Sequence, residues 1–239
     1  MNYYFITGSS KGLGKALTEL LLRDENNYVY GFARSCSITH KNYHHTTIDF
    51  NDLEAVQNYS FPHLENVEQL VLINNAGLVG DVKHVGKIDP KQIILCYNVN
   101  LVAPAIIANS FISAYNDNTL EKLIINISSG AGRSAIDGWN VYCSAKSGID
   151  MFSQVLNEEI KIDNSNIKVL SLAPGIIDTD MQVQIRAADQ SNFSNIEKFI
   201  EYKNGGDLAT PEATASLVHQ IIEKPDLLSN VLCSVRDLS

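Results

Sequence analysis

The sequence has few of the features that mark extracellular, metal-binding or membrane-spanning proteins. It contains only four cysteines in 239 residues, widely scattered and without a CxxC pair, so we expect neither disulfides nor a dithiol redox site. The adjacent residues His44 and His45 are poorly spaced for metal ligation, so the sequence predicts no metal site. No uninterrupted apolar run approaches the ~18 residues of a bilayer span, so we expect no membrane segment.

Positive charge is also scarce. The chain has 18 lysines and arginines against 27 acidic residues, which gives a net charge of −9 at pH 7. Nucleic acids and anionic membrane surfaces attract clustered cations, so we expect neither as a partner. Met1 leads almost directly into the strand-like Tyr3–Thr7, so we expect no signal peptide and a cytoplasmic protein.

The chain does have enough apolar residues for one α/β domain that spans residues 1–239. Its hydrophobic content is 45%, and short apolar runs alternate with helical patterns without a linker-like change in composition. This alternation predicts a single doubly wound Rossmann fold with about seven parallel strands and helices on both faces. The predicted strands are Tyr3–Thr7, Tyr28–Ala33, Thr46–Phe50, Gln69–Asn74, a run that begins at Ile125, Ile167–Ala173 and Val231–Val235. The predicted helices are Lys15–Arg23, Lys91–Ala114, Val141–Ile162 and a last one from Thr210 to about Glu223.

A glycine-rich turn follows the first predicted strand and opens the first helix. Its residues run from Gly8 to Gly14 with the spacing GxxxGxG, which differs from the usual dinucleotide pattern GxGxxG. Glycines allow a tight turn and close backbone approach, and the N-terminus of a helix attracts phosphate. The position of this turn therefore predicts a site for a dinucleotide.

The end of the second predicted strand indicates which dinucleotide. NAD-binding folds usually place an acidic residue there for the ribose 2′-hydroxyl, but this chain has Ala33, Arg34 and Ser35. Arg34 and the nearby Lys11 suit a 2′-phosphate, which predicts NADPH; the alternative is that both are ordinary surface cations. Asp49, at the end of the third predicted strand, could accept from the adenine amino group.

Two further segments place polar or small residues near the carboxyl ends of buried strands. Asn74–Gly77 follows the fourth predicted strand, where open α/β sheets bind ligands. Inside the next predicted helix lie Asn98 and Asn100, and Pro104 predicts a distortion there. The segment from Asp180 to about Gly206 is polar and ends in two glycines, which predicts a mobile lid (residues 180–206).

The stretch Ile125–Lys146 carries the residues best suited to chemistry. Tyr142 and Lys146 are four residues apart in a predicted helix, so they share one face. A lysine ammonium favours the phenolate, so we expect a lowered pKa for Tyr142 and a role in proton transfer. Ser129, at the end of a strand, would hold the same substrate oxygen. The alternative is an exposed Tyr and Lys on an amphipathic helix.

Taken together, six motifs resemble the classical short-chain dehydrogenase/reductase family over nearly the whole chain. They are TGSSKGLG (Thr7–Gly14), NNAG (Asn74–Gly77), NVNL (Asn98–Leu101), Ser129, YCSAK (Tyr142–Lys146) and PGIIDT (Pro174–Thr179). The resemblance implies that Tyr142 donates a proton, that Ser129 orients the carbonyl and that Lys146 binds the nicotinamide ribose and lowers the tyrosine pKa. It also implies that Asn100 anchors a water of the proton relay, with Asn98 the less probable asparagine for that role.

The same resemblance implies NADPH/NADP as cofactor. The cofactor-binding residues that it implies are Gly8, Ser10, Lys11, Gly12, Leu13, Gly14, Arg34, Ser35, Asp49, Phe50, Asn75, Ala76, Gly77, Tyr142, Lys146, Pro174, Gly175, Ile177 and Thr179. Two helices flank the site, Lys91–Ala114 and Val141–Ile162. In the family these helices pack across a two-fold axis, which implies a homodimer or homotetramer.

Within the family, the second half of the chain resembles the bacterial benzil reductases and, more distantly, the sepiapterin reductases. Both groups reduce one carbonyl of a vicinal dicarbonyl-type substrate with NADPH. The resemblance implies a pocket type, with Ser129, Trp139 and Met181 as candidate pocket residues; Trp139 could equally be a packing residue.

These observations predict an NADPH-dependent carbonyl reductase that converts a ketone or α-diketone to a hydroxy compound, including benzil-type diketones to (S)-benzoin-type products. One alternative is an NAD-dependent alcohol dehydrogenase. The other is a catalytically silent NADP-binding regulatory protein, which would be expected to lack at least one of Asn100, Ser129, Tyr142 and Lys146. All four are present.

Overall fold

The computed structural model describes residues 1–238, and seven parallel strands of this chain form one sheet. The strand order is β3-β2-β1-β4-β5-β6-β7, and every neighbouring pair is parallel. The strands are β1 (Asn2–Thr7), β2 (Asn27–Ala33), β3 (Tyr43–Thr47), β4 (Gln69–Asn74), β5 (Lys122–Ile127), β6 (Ile167–Ala173) and β7 (Leu232–Ser234). The predicted fold class is confirmed.

The helices lie on both faces of the sheet. They are α1 (Gly12–Leu21), α2 (Leu53–Gln57), α3 (Pro90–Tyr97), α4 (Ala103–Ala114), α5 (Asn140–Ile162), α6 (Asp180–Arg186), α7 (Ile196–Gly205) and α8 (Pro211–Glu223). Helices α1 and α8 pack on one face through residues such as Leu17 and Val218, and α4 and α5 pack on the other through Phe111 and Leu156. Both faces of the central strands are therefore buried, as their continuous apolar sequences predict.

Several boundaries differ from the sequence prediction: α1 is Gly12–Leu21 rather than Lys15–Arg23, β5 begins at Lys122 rather than Ile125, and β7 is Leu232–Ser234 rather than Val231–Val235. The third strand is Tyr43–Thr47 rather than Thr46–Phe50, because the polar residues from Tyr43 onward pair with β2 at the edge of the sheet, where one side faces water. Ile48 and Phe50 instead turn inward and are buried. The predicted mobile lid contains two helices, α6 and α7, and Gly206 caps α7 with a φ of 76°, which a glycine adopts without strain.

The predicted helix Lys91–Ala114 is divided into α3 and α4 by a π-helical turn at Asn98–Val102. Pro104 has no N–H to donate to the Asn100 carbonyl, and its ring crowds the preceding turn. The neighbouring N–H of Ala103 reaches back five residues to the Asn98 carbonyl. The predicted distortion is thus present, and it coincides with Asn100. Such turns occur often at functional sites.

The stretch Pro90–Ala114 also has the length and mean hydropathy (1.5) of a membrane span. In the structure it is a broken helix whose Ala103, Ile107 and Phe111 pack in the core beside the sheet. Core helices of soluble proteins reach the same hydropathy, so this feature alone does not indicate a membrane segment.

Candidate active site

The carboxyl ends of the central strands open into one cleft of about 1210 Å³. Loops after β1, β4, β5 and β6 meet there, which is where parallel α/β sheets bind ligands. Of the predicted cofactor residues, those that line the cleft are Gly8, Ser10, Lys11, Gly12, Leu13, Arg34, Asp49, Phe50, Asn75, Ala76, Gly77, Tyr142, Lys146, Pro174, Gly175, Ile177 and Thr179. Gly14 and Ser35 are not among the residues that line it.

The glycine-rich turn after β1 has the conformation that its sequence predicts. Gly8 and Gly12 have φ values of 72° and 55°, in the left-handed region that favours glycine. A Cβ atom at Gly14 would lie 2.3 Å from the Gly8 carbonyl oxygen. Gly14 therefore lets the helix pack beneath the turn and does not face the cleft.

The loop after β4 is fastened to the end of β1. The Thr7 hydroxyl oxygen accepts hydrogen bonds from the backbone N–H groups of Asn75 and Ala76, both at 2.9 Å. The Asn75 side chain donates to the carbonyls of Thr7 (2.9 Å) and Gly8 (3.3 Å). These contacts set the two loops side by side before any ligand binds.

The candidate proton donor and its partners lie at the centre of the cleft. Tyr142 and Lys146 are one turn apart on α5, and the Lys146 Nζ lies 5.8 Å from the centre of the Tyr142 ring. The same Nζ donates to the Ile127 carbonyl at 2.7 Å, at the end of β5. Ser129 follows that strand, and its Oγ accepts from the Ala131 N–H at 3.2 Å.

The expected depression of the Tyr142 pKa is wrong for this structure. Burial raises the pKa of Tyr142 to about 12, and a hydrogen bond with Ser129 offsets only part of this effect. Burial likewise lowers the pKa of Lys146 to about 8, which Cys96 and Asp150 partly counteract. Both groups are removed from water, and burial opposes the charged form of each.

Asn100 is completely buried and holds the loop after β4. Its Oδ1 accepts from the Leu78 N–H at 3.1 Å, and its Nδ2 donates to the Leu78 carbonyl at 2.8 Å. A Cβ atom at Gly77 would lie 3.0 Å from this Oδ1 and 3.6 Å from the Lys146 Nζ. Asn100 therefore positions the loop that covers Lys146; its predicted role as a water anchor stays a prediction.

The lid side of the cleft contributes apolar residues to its lining, among polar ones. Met181 of α6 lines it, as does Trp139, which packs edge-on against Tyr142 with the ring centres 5.6 Å apart. Trp139 also stacks on Phe193 of the lid at 5.4 Å and 14°. Trp139 is thus a packing residue that also lines the cleft, and its role in a substrate pocket stays a prediction.

This arrangement of glycine turn, Asn, Ser, Tyr and Lys has counterparts in known proteins. The family model for the short chain dehydrogenases matches residues 2–190. The chain belongs to the short-chain dehydrogenase family. It is therefore an oxidoreductase of a family that acts on CH–OH and C=O groups with a nicotinamide cofactor.

Individual relatives agree with this assignment. The dehydrogenase is 35% identical over 237 residues to a benzil reductase ((S)-benzoin forming) of Bacillus cereus, covering 93% of this chain and 94% of that protein. It is 33% identical over 177 residues to a sepiapterin reductase of Meriones unguiculatus, covering 72% and 64%. A short-chain dehydrogenase/reductase structure from Saccharomyces cerevisiae superposes with a TM-score of 0.85 over 98% and 96% of the chains, at 23% identity, which shows a shared fold.

The structure of this dehydrogenase also contains an ion pair between the buried Asp150 and the more exposed Arg133, which the sequence did not reveal. The Arg133 Nε donates to the Asp150 carboxylate at 3.1 Å, and the Ser171 hydroxyl donates to the same carboxylate at 2.6 Å. Asp150 continues the helix face of Tyr142 and Lys146 by one more turn, so this spacing could have revealed it. The pair fastens the loop after β5 to α5 and β6.

A second unpredicted contact concerns Lys11. Its Nζ lies 2.8 Å from the Asp180 carboxylate at the start of the lid, and both side chains are largely exposed. The lysine predicted to bind a phosphate is thus paired with the lid. The carboxylate was visible in the sequence, but its approach to Lys11 depends on how the lid folds back over the cleft.

Proposed function

We propose that this dehydrogenase is an NADPH-dependent carbonyl reductase that acts in the cytoplasm. The observation that carries the proposal is that Ser129, Tyr142 and Lys146 line the same cleft as the glycine-rich turn and the apolar residues Trp139 and Met181. A reductase needs a proton donor beside both its cofactor and its substrate. The Tyr142 phenol is protonated near neutral pH, as an ordinary tyrosine is, and burial raises its pKa further, so it can donate a proton.

The cleft fits a dinucleotide. Gly8 and Gly12 turn the backbone with positive φ values at the cleft, and the N-terminus of α1 would receive the pyrophosphate. Lys146 would hold the nicotinamide ribose. When bound, the cofactor supplies the hydride that reduces the carbonyl carbon.

The protein's own part of the reaction is proton transfer and orientation. The Ser129 hydroxyl would donate a hydrogen bond to the substrate carbonyl oxygen and hold it near the Tyr142 hydroxyl. As that oxygen gains negative charge, Tyr142 would give it the phenolic proton, and the alcohol product results. The buried Lys146 ammonium would stabilise the phenolate that remains.

The preference for NADPH is supported by charge. Arg34 lies in the cleft at the end of β2, and no carboxylate occupies the position that NAD-binding proteins use for the ribose 2′-hydroxyl. One observation favours the second candidate, an NAD-dependent alcohol dehydrogenase: Asp180 already pairs with Lys11 and places a negative charge nearby. Arg34 is then the main cation available to a 2′-phosphate.

The substrate class that we propose is a ketone or α-diketone with apolar substituents, including benzil reduced to (S)-benzoin. It is supported by the apolar wall of Trp139 and Met181 and by the similarity to the Bacillus cereus benzil reductase. The test is a panel of α-diketones, quinones and pterins, each assayed with NADPH and with NADH and followed by chiral analysis of the products. Turnover of none of these carbonyls, with oxidation of simple alcohols instead, would reject the proposal.

We also propose that the reductase assembles as a homodimer or homotetramer. Helices α3 and α5 expose the apolar residues Ile94, Met151, Val155 and Ile162, which a partner would cover. We expect light scattering at micromolar concentration to give twice or four times the chain mass of 26.4 kDa. A monomer mass under these conditions would contradict the proposed assembly.

A further inference from the structure

The three residues that precede α5, Asp137–Trp139, each contact the lid. We call them the docking triplet. They lie immediately before the helix that carries Tyr142, whereas the lid is some fifty residues farther along the chain. Three consecutive contacts at this point connect the position of the lid directly to the catalytic helix.

Asp137 makes the polar part of this connection. Its two carboxylate oxygens accept from the Ser194 N–H (2.7 Å), the Ser194 hydroxyl (2.8 Å) and the Asn195 side-chain amide (3.3 Å). His84 is its nearest basic group, with Nε2 3.8 Å from Oδ2. These hydrogen bonds hold the pKa of Asp137 below its ordinary value. The carboxylate thereby holds the N-terminal end of α7, where a negative charge is favourable.

Gly138 makes a close backbone contact with the lid, and Trp139 makes the apolar contact. Gly138 has a φ of 73°, and a Cβ atom there would lie 2.5 Å from the Asn192 carbonyl oxygen, so the lid can approach this closely only over a glycine. Trp139 stacks on the fully buried Phe193 and contacts Phe199 with ring centres 5.4 Å apart. Its other edge meets Tyr142.

The contact with α7 orients the substrate wall. Asn195, Phe199 and Tyr202 line the cleft and are spaced i, i+4 and i+7, so they share one face of the helix. Asp137 binds the first of the three. The segment between α6 and α7 has no regular helix or strand of its own, so its position depends on such contacts.

We propose that Asp137 is a positioning residue that holds the lid against the docking triplet. It thereby fixes the face of α7 that lines the cleft and the position of Trp139 beside Tyr142. This inference rests on the proposed carbonyl reductase activity for its kinetic consequence, but its structural part does not. Loss of the carboxylate should release Ser194 and Asn195, let Phe193 leave Trp139, and admit water to the indole.

Trp139 is the single tryptophan of the chain, so intrinsic indole fluorescence reports on the contact between the docking triplet and the lid. We expect Asp137→Ala to shift the emission to longer wavelength and to increase quenching by acrylamide. With NADPH and benzil as probes, we expect KM for benzil to rise about tenfold, equivalent to ~1.4 kcal/mol, with kcat changed less and the NADPH affinity unchanged.

Asp189→Ala is the matched control. Asp189 belongs to the same lid, and its carboxylate accepts from the Ser191 N–H at 2.8 Å within the lid's own turn. We expect this variant to keep the wild-type emission and KM. If Asp137→Ala fails to fold, the variant Ser194→Ala with Asn195→Ala removes the lid's side-chain donors from the other side and should give a smaller shift of the same sign.

The outcomes separate the two proposals. Unchanged emission and quenching in Asp137→Ala and in the lid-side variant would overturn the dock, whatever the activity. A shifted emission, in a protein whose wild type reduces neither benzil nor any other carbonyl of the panel, would leave the dock standing and reject the proposed function.

Discussion

The two ends of the cleft are held by different kinds of contact. At the dinucleotide end, the Thr7 hydroxyl, the Asn75 side chain and the glycine turn form short hydrogen bonds and backbone contacts close to the sheet. At the lid end, exposed carboxylates and aromatic stacks connect elements far apart in sequence, as at Asp137 and at the Lys11–Asp180 pair. Exposed ion pairs contribute little to stability, typically ~0–1 kcal/mol. One end is therefore built from contacts close to the sheet, and the other depends on contacts between segments distant in sequence.

The largest effect is expected at the junction between the ends. Tyr142→Phe removes the proposed proton donor but keeps the ring that packs on Trp139. We expect turnover to fall by about 10²–10⁴, the usual contribution of a positioned acid. NADPH affinity and Trp139 emission should stay at wild-type values, because neither end is disturbed. Turnover within a few-fold of wild type would sink the assignment of Tyr142.

The second prediction concerns cofactor choice at the dinucleotide end and tests Arg34. We expect wild type to prefer NADPH by on the order of a hundredfold in kcat/KM, since charge-assisted hydrogen bonds contribute roughly 1.5–3 kcal/mol before discount for exposure. Arg34→Asp should reverse much of this preference by weakening NADPH binding, with little change in turnover at saturation. Equal use of NADH and NADPH by the wild type would show that Arg34 and Lys11 do not bind a 2′-phosphate.

Gly14 tests whether the dinucleotide end is rigid. A Cβ atom there would lie 2.3 Å from the Gly8 carbonyl oxygen and 2.4 Å from the Asn75 Nδ2, so Gly14→Ala must displace the turn. We expect a loss of about 1–3 kcal/mol in the free energy of unfolding, together with weaker NADPH binding. Gly130→Ala is the control, because no atom lies within 4 Å of its added methyl group and its φ is not positive. Equal stability of the two variants in urea would contradict a tightly packed turn.

The last prediction is a dependence of the free energy of unfolding on pH, which comes from Lys146. Its pKa is 10.5 in the ordinary case and about 8 in the folded protein. Between these values the unfolded chain binds more protons, so the free energy of unfolding should rise with pH from about 8 toward 10.5. We expect a rise of at most about 3 kcal/mol, the equivalent of this pKa shift, that is absent in Lys146→Met, measured by urea denaturation without cofactor. If the free energy of unfolding changed with pH in the same way in both proteins, Lys146 would not be a buried ammonium with a lowered pKa.

The same difference explains what could be read from the sequence. The dinucleotide end is encoded locally: Gly8–Gly14 and Asn74–Gly77 carry their conformations in short motifs at strand ends, and their positions in the cleft were expected. The face shared by Tyr142 and Lys146 follows from helical spacing. The raised pKa of Tyr142 could not be predicted in this way, because it depends on how completely the lid and neighbouring loops exclude water.

The lid end was only partly predictable for a related reason. A polar composition indicated a lid, but the contacts of Asp180 with Lys11 and of Asp137 with Ser194 join residues 169 and 57 positions apart. No local period connects such residues. The π-helical turn at Asn98–Val102 was partly predictable, because Pro104 indicated a distortion of the helix but not that it would be a π-helical turn.

The order of the strands has a consequence for how the protein folds. Strand β1 lies between β2 and β4, with Asn2 beside both Asn27 and Gln69, so this part of the sheet cannot close until the first third of the chain has assembled. A sheet in which every pairing is parallel has no hairpin to nucleate it. High contact order of this kind slows folding. The ring of Phe5 packs on Tyr30 of β2 and also on Phe111 of α4, so its packing is complete only when α4 has been added. Until then this apolar ring is open to contacts with other chains, which favours self-association during folding.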